Sequence, residues 1–306
     1  MLSVIVPAYN EQENIPALAG EVQGVLSGAG IDYEMVIVDD GSRDGTFAAI
    51  EAAAAAEGRV RGIRLSRNFG KEAAILAGLE AAGGDCCAVL DADLQHPPEI
   101  LPTMYRLWEE GAMVVQGVKQ DRGREGWLYR LSAALFYGFI SRVTHIDFRR
   151  ASDYKLLDRK IVDILVALPE KTRFFRGLSV YYGFSQAEVP FSVAPRKRGV
   201  TNWRPAGLLA YGLDSISAFT AFPLQLTTGL GAAMLLLFIA LGLQTLYNYA
   251  SGRAVEGFTT VILLLLFIAS SLSISMGIIG HYVAKIYEEV KARPSYIIER
   301  EIGMKR

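Results

Sequence analysis

Two carboxylates, Asp91 and Asp93, close an apolar run that begins Cys86-Cys87-Ala88-Val89-Leu90. Hard oxygen ligands of this kind grip a divalent cation, and one or two carboxylates plus the phosphates of a nucleotide make a usual Mg²⁺ site. Bounded by Gly83-Gly84-Asp85 and by Pro97-Pro98, the run reads as a buried strand of a parallel sheet. Asp91 and Asp93 then stand at its carboxyl end, where open α/β sheets bind their ligands. In an extended chain both side chains project to one side.

The elements before this pair place further polar groups at the same edge. Ser3-Val4-Ile5-Val6-Pro7 is a first strand, and the turn Ala8-Tyr9-Asn10-Glu11 leads into a helix to about Ser27. Residues 33–38 form a second strand that ends in Asp39-Asp40-Gly41-Ser42, and Asp44 is placed to cap the Ala-rich helix up to Glu57. A third strand over 60–65 is followed by Arg67-Asn68-Phe69-Gly70-Lys71 and a helix over 71–82. Strands alternating with helices of this length make βαβ units and a parallel sheet, so the fold class is α/β. Beyond it, Pro97-Pro98-Glu99 opens a helix to Glu110 and a strand covers 113–117. Residues 120–126 suit a loop over a site, 127–143 have a helical pattern rich in aromatics, and Ser152-Asp153-Tyr154-Lys155-Leu156 reads as another short strand.

The 306-residue chain changes character near its end. Residues 224–247 and 258–282 are apolar blocks, each long enough for the roughly 20 residues of a spanning helix, and they read as a transmembrane hairpin within 224–286. This divides the chain into a catalytic domain over 1–204, a juxtamembrane segment over 205–223, the hairpin, and a tail over 287–306. The formal net charge of −1 argues against a nucleic-acid partner. Lys and Arg cluster before the first block and after the second, whereas the loop between holds only Arg253. By the positive-inside rule the catalytic domain and both termini are cytoplasmic, with the hairpin in the inner membrane. Residues 2–6 are too short, and lack the basic lead-in, for a signal peptide. The two cysteines are adjacent in a strand and read as small buried residues; His96, His145 and His281 are not spaced as a metal site.

Five segments taken in order resemble the family-2 glycosyltransferases of GT-A fold. They are Val6-Pro7-Ala8-Tyr9-Asn10-Glu11, Val38-Asp39-Asp40-Gly41-Ser42, Arg67-Asn68-Phe69-Gly70-Lys71, Asp91-Ala92-Asp93-Leu94-Gln95, and the hairpin ending Arg293-Pro294-Ser295-Tyr296. Within that family the chain resembles the membrane-anchored polyprenyl-phosphate glycosyltransferases, which include dolichol-phosphate mannose synthases and bactoprenol glucosyltransferases. The resemblance implies a mostly parallel GT-A sheet and inverting transfer of one sugar from a nucleotide sugar, a UDP-hexose with glucose first, to undecaprenyl phosphate. It also implies Mg²⁺ or Mn²⁺ as cofactor and self-association through the membrane helices.

By the same resemblance Pro7, Tyr9, Glu11, Asp39, Asp40, Lys71 and Asp91 line the nucleotide site, with Asp40 on the base. Asp91 and Asp93 hold the metal, Asp93 as the direct ligand. Asp153 lies on the acceptor side as base or orienter. Arg173, Arg176, Arg196, Arg198, Thr201 and Asn202 match phosphate- and acceptor-binding positions, with Asn202 where lysine is usual. His96, Gln116 and Lys119 are candidates for the sugar pocket. Two rival functions share much of this pattern. A processive polysaccharide synthase carries a Gln-x-x-Arg-Trp motif, which this sequence lacks. A silent nucleotide-sugar-binding adaptor has no need of the acidic residues kept here.

Overall fold

The computed structural model describes residues 1–119, 152–170, 175, 177, 183–192, 222–252 and 257–303. They fall into two compact units, Met1–Trp203 with Pro294–Arg306, and Arg204–Arg293.

In the first unit the strands are β1 (Leu2–Ala8), β2 (Tyr33–Asp39), β3 (Val60–Leu65), β4 (Cys86–Val89), β5 (Val114–Lys119), β6 (Lys155–Asp158), β7 (Gln186–Phe191) and β8 (Ile298–Ile302). They form one sheet in the order β7-β5-β6-β4-β1-β2-β3-β8, in which only β6 and β8 run against the rest. The helices are α1 (Ile15–Gly28), α2 (Thr46–Ala56), α3 (Lys71–Ala81), α4 (Leu101–Glu109) and α5 (Arg159–Ala167), with a 3₁₀ turn at Pro98–Ile100. Alternation along β1 sorts the two faces. Leu2, Val4 and Val6 join Ile15, Leu18, Val22 and Leu26 of α1, Phe47 and Ile50 of α2, and Leu101 and Met104 of α4 in one buried cluster. Ile5 turns to the other face and meets α3, where a Cβ on Gly78 would overlap its Cγ2.

The chain runs from β1 outward to β2 and β3, then crosses back to lay β4 on the other side of β1. Connections in opposite directions leave a crevice between the carboxyl ends of β1 and β4, and open α/β sheets bind ligands at such a switch point.

Several expectations change in detail. The Asp-x-Asp pair is not extended: β4 ends at Val89, Leu90 N–H still reaches Ile5 O at 2.9 Å, and the chain then turns through 92–93 with Leu94 at φ 58°. The strand expected from Ser152 begins at Lys155, because pairing with β4 stops at Val89 opposite Lys155, and Asp153 lies in the bend before it. Asp44 caps α2 from one residue further out than expected, with Oδ1 accepting Thr46 N–H at 3.1 Å. Residues 298–302, expected as tail, return to the sheet as β8 beside β3. The expected loop over 120–126 and the aromatic segment over 127–143 lie outside the described residues.

The second unit holds α6 (Phe222–Ala250) and α7 (Phe258–Val290), which touch each other. Their apolar stretches, Thr227–Asn248 and Phe267–Val290, have mean hydropathy 2.0 and 1.4 and are 0% and 6% buried. Core helices of a soluble protein would hide such surface; here Leu236, Phe238 and Met276 are exposed. Each helix exceeds the about 20 residues needed to cross a bilayer. Thr245 Oγ1 donates to Leu241 O at 2.8 Å, which satisfies its hydroxyl within the helix.

Candidate active site

A cleft of about 320 Å³ opens at the switch point. Its walls are Pro7, Ala8, Tyr9 and Glu11 after β1, Asp40 after β2, Asn68, Lys71 and Ala74 around the start of α3, and Asp91, Ala92 and Asp93 after β4. The nucleotide and metal residues expected from the sequence thus meet in one place, with Asp39 beneath the wall.

Two loops build the β1–β2 side. Asp39 is fully buried, and its Oδ1 accepts Ser42 N–H at 2.9 Å. Ser42 Oγ accepts Asn10 N–H at 2.9 Å, and Thr46 Oγ1 accepts Glu11 N–H at 2.8 Å. Asn10 holds φ 58°, a left-handed conformation that Asn tolerates better than most residues. The loop after β2 also abuts the segment after β3 so closely that a Cβ on Gly41, at φ 65°, would strike the Arg67 backbone. Asp40, expected on the nucleotide base, lines the cleft and has each oxygen accepting one backbone N–H. Oδ1 accepts Phe69 N–H at 2.7 Å and Oδ2 accepts Gly70 N–H at 2.8 Å, which fixes the turn that launches α3. Burial pushes the Asp40 carboxyl pKa up, against the pull of those two N–H groups. Tyr9 stands exposed at the rim and offers a flat apolar face.

On the β4 side Lys71 joins the two acidic groups. Its Nζ lies 2.6 Å from Asp91 Oδ1 and 3.0 Å from Asp153 Oδ2. Burial disfavours the ammonium, but the two carboxylates outweigh it and hold the Lys71 pKa above its ordinary value. Asp93 Oδ1 accepts Gln95 N–H at 3.1 Å across the turn. The left-handed Leu94 in that turn costs about 1–2 kcal/mol, and such strain collects at functional sites.

Of the sugar-pocket candidates, neither His96 nor Gln116 lines the cleft. His96 is buried against Tyr154 and Phe191, with ring centroids at 5.1 and 5.6 Å, and its Nδ1 stops 3.6 Å from Asp91 Oδ2. Burial lowers its pKa despite Asp91. Tyr154 OH donates to Pro97 O at 2.9 Å, and Gln116 Nε2 donates to Gln186 Oε1 at 3.0 Å. Lys119 ends β5, outside the cleft wall. Arg173, Arg176, Arg196, Arg198, Thr201 and Asn202 lie outside the described residues. Asn68 is an added wall residue; its place in Arg67-Asn68-Phe69-Gly70-Lys71 was the available signal.

A mostly parallel sheet with an acidic cleft at the β1/β4 switch point is the GT-A architecture. Residues 3–163 match the profile of "Glycosyl transferase family 2", and the chain belongs to that family. It is 37% identical to an "uncharacterized glycosyltransferase" of Synechocystis, over 99% of this chain and 96% of the relative. It is 32% identical to the SfII prophage-derived bactoprenol glucosyl transferase of Shigella flexneri, over 98% and 97% of the two chains. Among solved structures, mannosyl-3-phosphoglycerate synthase of Rubrobacter xylanophilus shares the fold, with a TM-score of 0.50 at 17% identity, covering 71% of this chain and 72% of that one.

Proposed function

We propose that this glycosyltransferase moves one sugar from a nucleotide-diphosphate sugar, a UDP-hexose with glucose first, to polyprenyl phosphate, with inversion at the anomeric carbon. The observation that carries the reading is the Lys71 bridge, which brings Asp91 on the donor side and Asp153 on the acceptor side to within 3.0 Å of one ammonium. The length-spanning similarity to a bactoprenol glucosyl transferase supports the lipid acceptor.

Tyr9 and Glu11 flank the nucleoside, and Asp40 shapes the wall through Phe69 and Gly70 N–H. The donors fit a divalent metal. Asp91 and Asp93 are hard oxygen ligands, and a Lys71 ammonium already sits against Asp91 as a cation would. Two carboxylates leave the rest of a Mg²⁺ or Mn²⁺ shell to phosphate and water. Such an ion, when bound, neutralises charge on the departing diphosphate.

In the reaction a phosphate oxygen of the acceptor attacks the anomeric carbon while the bond to the nucleoside diphosphate breaks. The acceptor is anionic at neutral pH, so its oxygen is a ready nucleophile. Asp153 serves on the acceptor side as base or orienter, Lys71 screens the acidic cluster, and proximity supplies much of the rate. We assign residues 1–204 to catalysis on the cytoplasmic side and 224–286 to an inner-membrane hairpin, which brings the enzyme to a lipid headgroup. Association of copies through the hairpin belongs to the same proposal.

The test is transfer from labelled UDP- and GDP-sugars to undecaprenyl phosphate in detergent, with and without Mg²⁺ or Mn²⁺. Metal-dependent label in the lipid from one donor is expected. Asp93→Asn is expected to lower it about 10²-fold or more, the scale of a lost charge-stabilising group, and to weaken Mn²⁺ binding read by electron paramagnetic resonance. Nucleotide-sugar binding without transfer from any donor would overturn the proposal.

A further inference from the structure

β8 carries one charged residue out of register. Arg64 of β3 faces Arg300 and Leu65 faces Ile298, so Glu299 is the extra residue of a β-bulge. A bulge re-aims the side chain of its unpaired residue, and bulges concentrate beside functional sites. Here the bulge turns Glu299 onto Arg64, with Oε2 3.4 Å from Nε. The same Nε lies 3.6 Å from Oδ2 of the buried Asp39. Neither Arg64 Nε nor Asp39 Oδ2 completes a hydrogen bond, so the guanidinium is shared between two carboxylates. Its Cζ also lies over the Phe47 ring, 5.4 Å from the centroid.

Asp39 is where this arrangement meets the cleft. Its other oxygen holds Ser42 N–H, and Ser42 Oγ holds Asn10 N–H. Asn10 Oδ1 returns the link by accepting Arg43 N–H at 3.0 Å. Those bonds stitch together the loops after β1 and β2, and the first of them carries Tyr9 and Glu11. A buried carboxylate oxygen without a hydrogen bond is costly, and a nearby cation offsets the cost. The Arg64 side chain is 35% exposed, so water competes for it. Glu299 supplies an anion on the solvent side that keeps the guanidinium at the sheet edge.

We propose that Glu299 is a positioning residue for the nucleotide subsite: it retains Arg64 against Asp39 and so holds the paired loops that carry Tyr9 and Glu11 in the shape that takes a nucleoside diphosphate. This rests on the donor reading of the cleft. The strand that follows the hairpin is thereby a working part of the donor site.

The test uses the full chain in detergent and begins without nucleotide. Glu299→Gln is expected to speed hydrogen exchange at the Asn10 and Ser42 amides while leaving β1 and β4 unchanged. It is also expected to weaken UDP binding by calorimetry about two- to fivefold, the scale of one exposed ion pair, and to raise the donor KM more than it lowers kcat. Arg64→Gln with Glu299→Gln is expected to bind UDP no more weakly than Arg64→Gln alone, as for residues acting in one chain. Arg300→Gln is the control on the same strand. It removes the 2.7 Å ion pair with Glu51 and is expected to lower Tm without moving UDP affinity. Unchanged exchange and UDP affinity in Glu299→Gln, or an equal loss in Arg300→Gln, would overturn the proposal. Faster exchange in Glu299→Gln from a wild type that binds no UDP would keep the loop-holding role and sink the donor reading.

Discussion

At the scale of single residues, the site is governed by how charges are shared. Lys71 contacts both Asp91 and Asp153, so removing it takes away a positive charge that the two carboxylates share. Lys71→Met is expected to lower transfer about 10²-fold with little change in Tm, checked by initial rates alongside thermal melts. Glu34 shows the same logic where it affects stability. It accepts from Ser3 Oγ at 2.7 Å and Gly83 N at 2.6 Å and pairs with Arg61. Burial alone would raise its pKa, but these donors outweigh it and leave the carboxyl below its ordinary 4.5. Because the folded value is the lower one, the stabilisation is present above pH 4.5 and is lost as pH falls through the folded value. Glu34→Gln is therefore expected to flatten the acid limb of stability, read as denaturant midpoints from neutral pH down to about pH 3.

At the scale of elements, tight packing and long-range pairing set the limits of what local sequence reveals. Gly78 lets α3 lie on Ile5 of β1. Gly78→Ala is expected to destabilise by about 1–3 kcal/mol through overpacking, measured by chemical denaturation, with Tm falling in step. The strands β1 to β4 were legible because each is a short apolar run followed by Tyr9-Asn10-Glu11, Asp40-Gly41, Ser66-Arg67 or Asp91, and their order of appearance pointed to the parallel sheet; only the expected stop of the first strand at Pro7 differs, since β1 pairs on through Ala8. The cleft was legible for the same reason, since its residues follow those strands. The turn through Asp91 and Asp93 was not, because the end of the β4–β6 ladder at Val89 depends on a strand nearly seventy residues away. β8 was hidden more deeply. Ile298-Glu299-Arg300-Glu301-Ile302 is a charged edge strand whose partner is β3, so no local apolar run announces it. The engagement of Asp40 by Phe69 and Gly70 N–H is likewise a property of two loops meeting.

At the scale of the whole molecule, the chain leaves the sheet unit at Trp203 and rejoins it at Pro294, after two helices that are each long and apolar enough to cross a membrane. In the hairpin we propose, out-and-back traversal would put the turn at 251–252 on the far side from both ends. Ser251→Cys is expected to react with an impermeant maleimide added outside intact cells, whereas labelling only after lysis would reverse the topology. The native thiols will not confuse the signal: Cys86 and Cys87 are buried, and burial pushes the Cys87 pKa up to about 12, so little thiolate exists at neutral pH. The β3–β8 pair has a further consequence, for the order in which the protein is made. Its partners Gly62 and Ile302 lie about 240 residues apart, and bringing such distant segments together costs about 5 kcal/mol in chain entropy by length alone. During synthesis β3 leaves the ribosome long before β8 and waits as an unpaired edge while both apolar helices are translated, a state that invites pairing with a neighbouring chain. The sheet can be finished only after both apolar helices have been made, so closing the β3 edge is among the last steps of the chain's maturation.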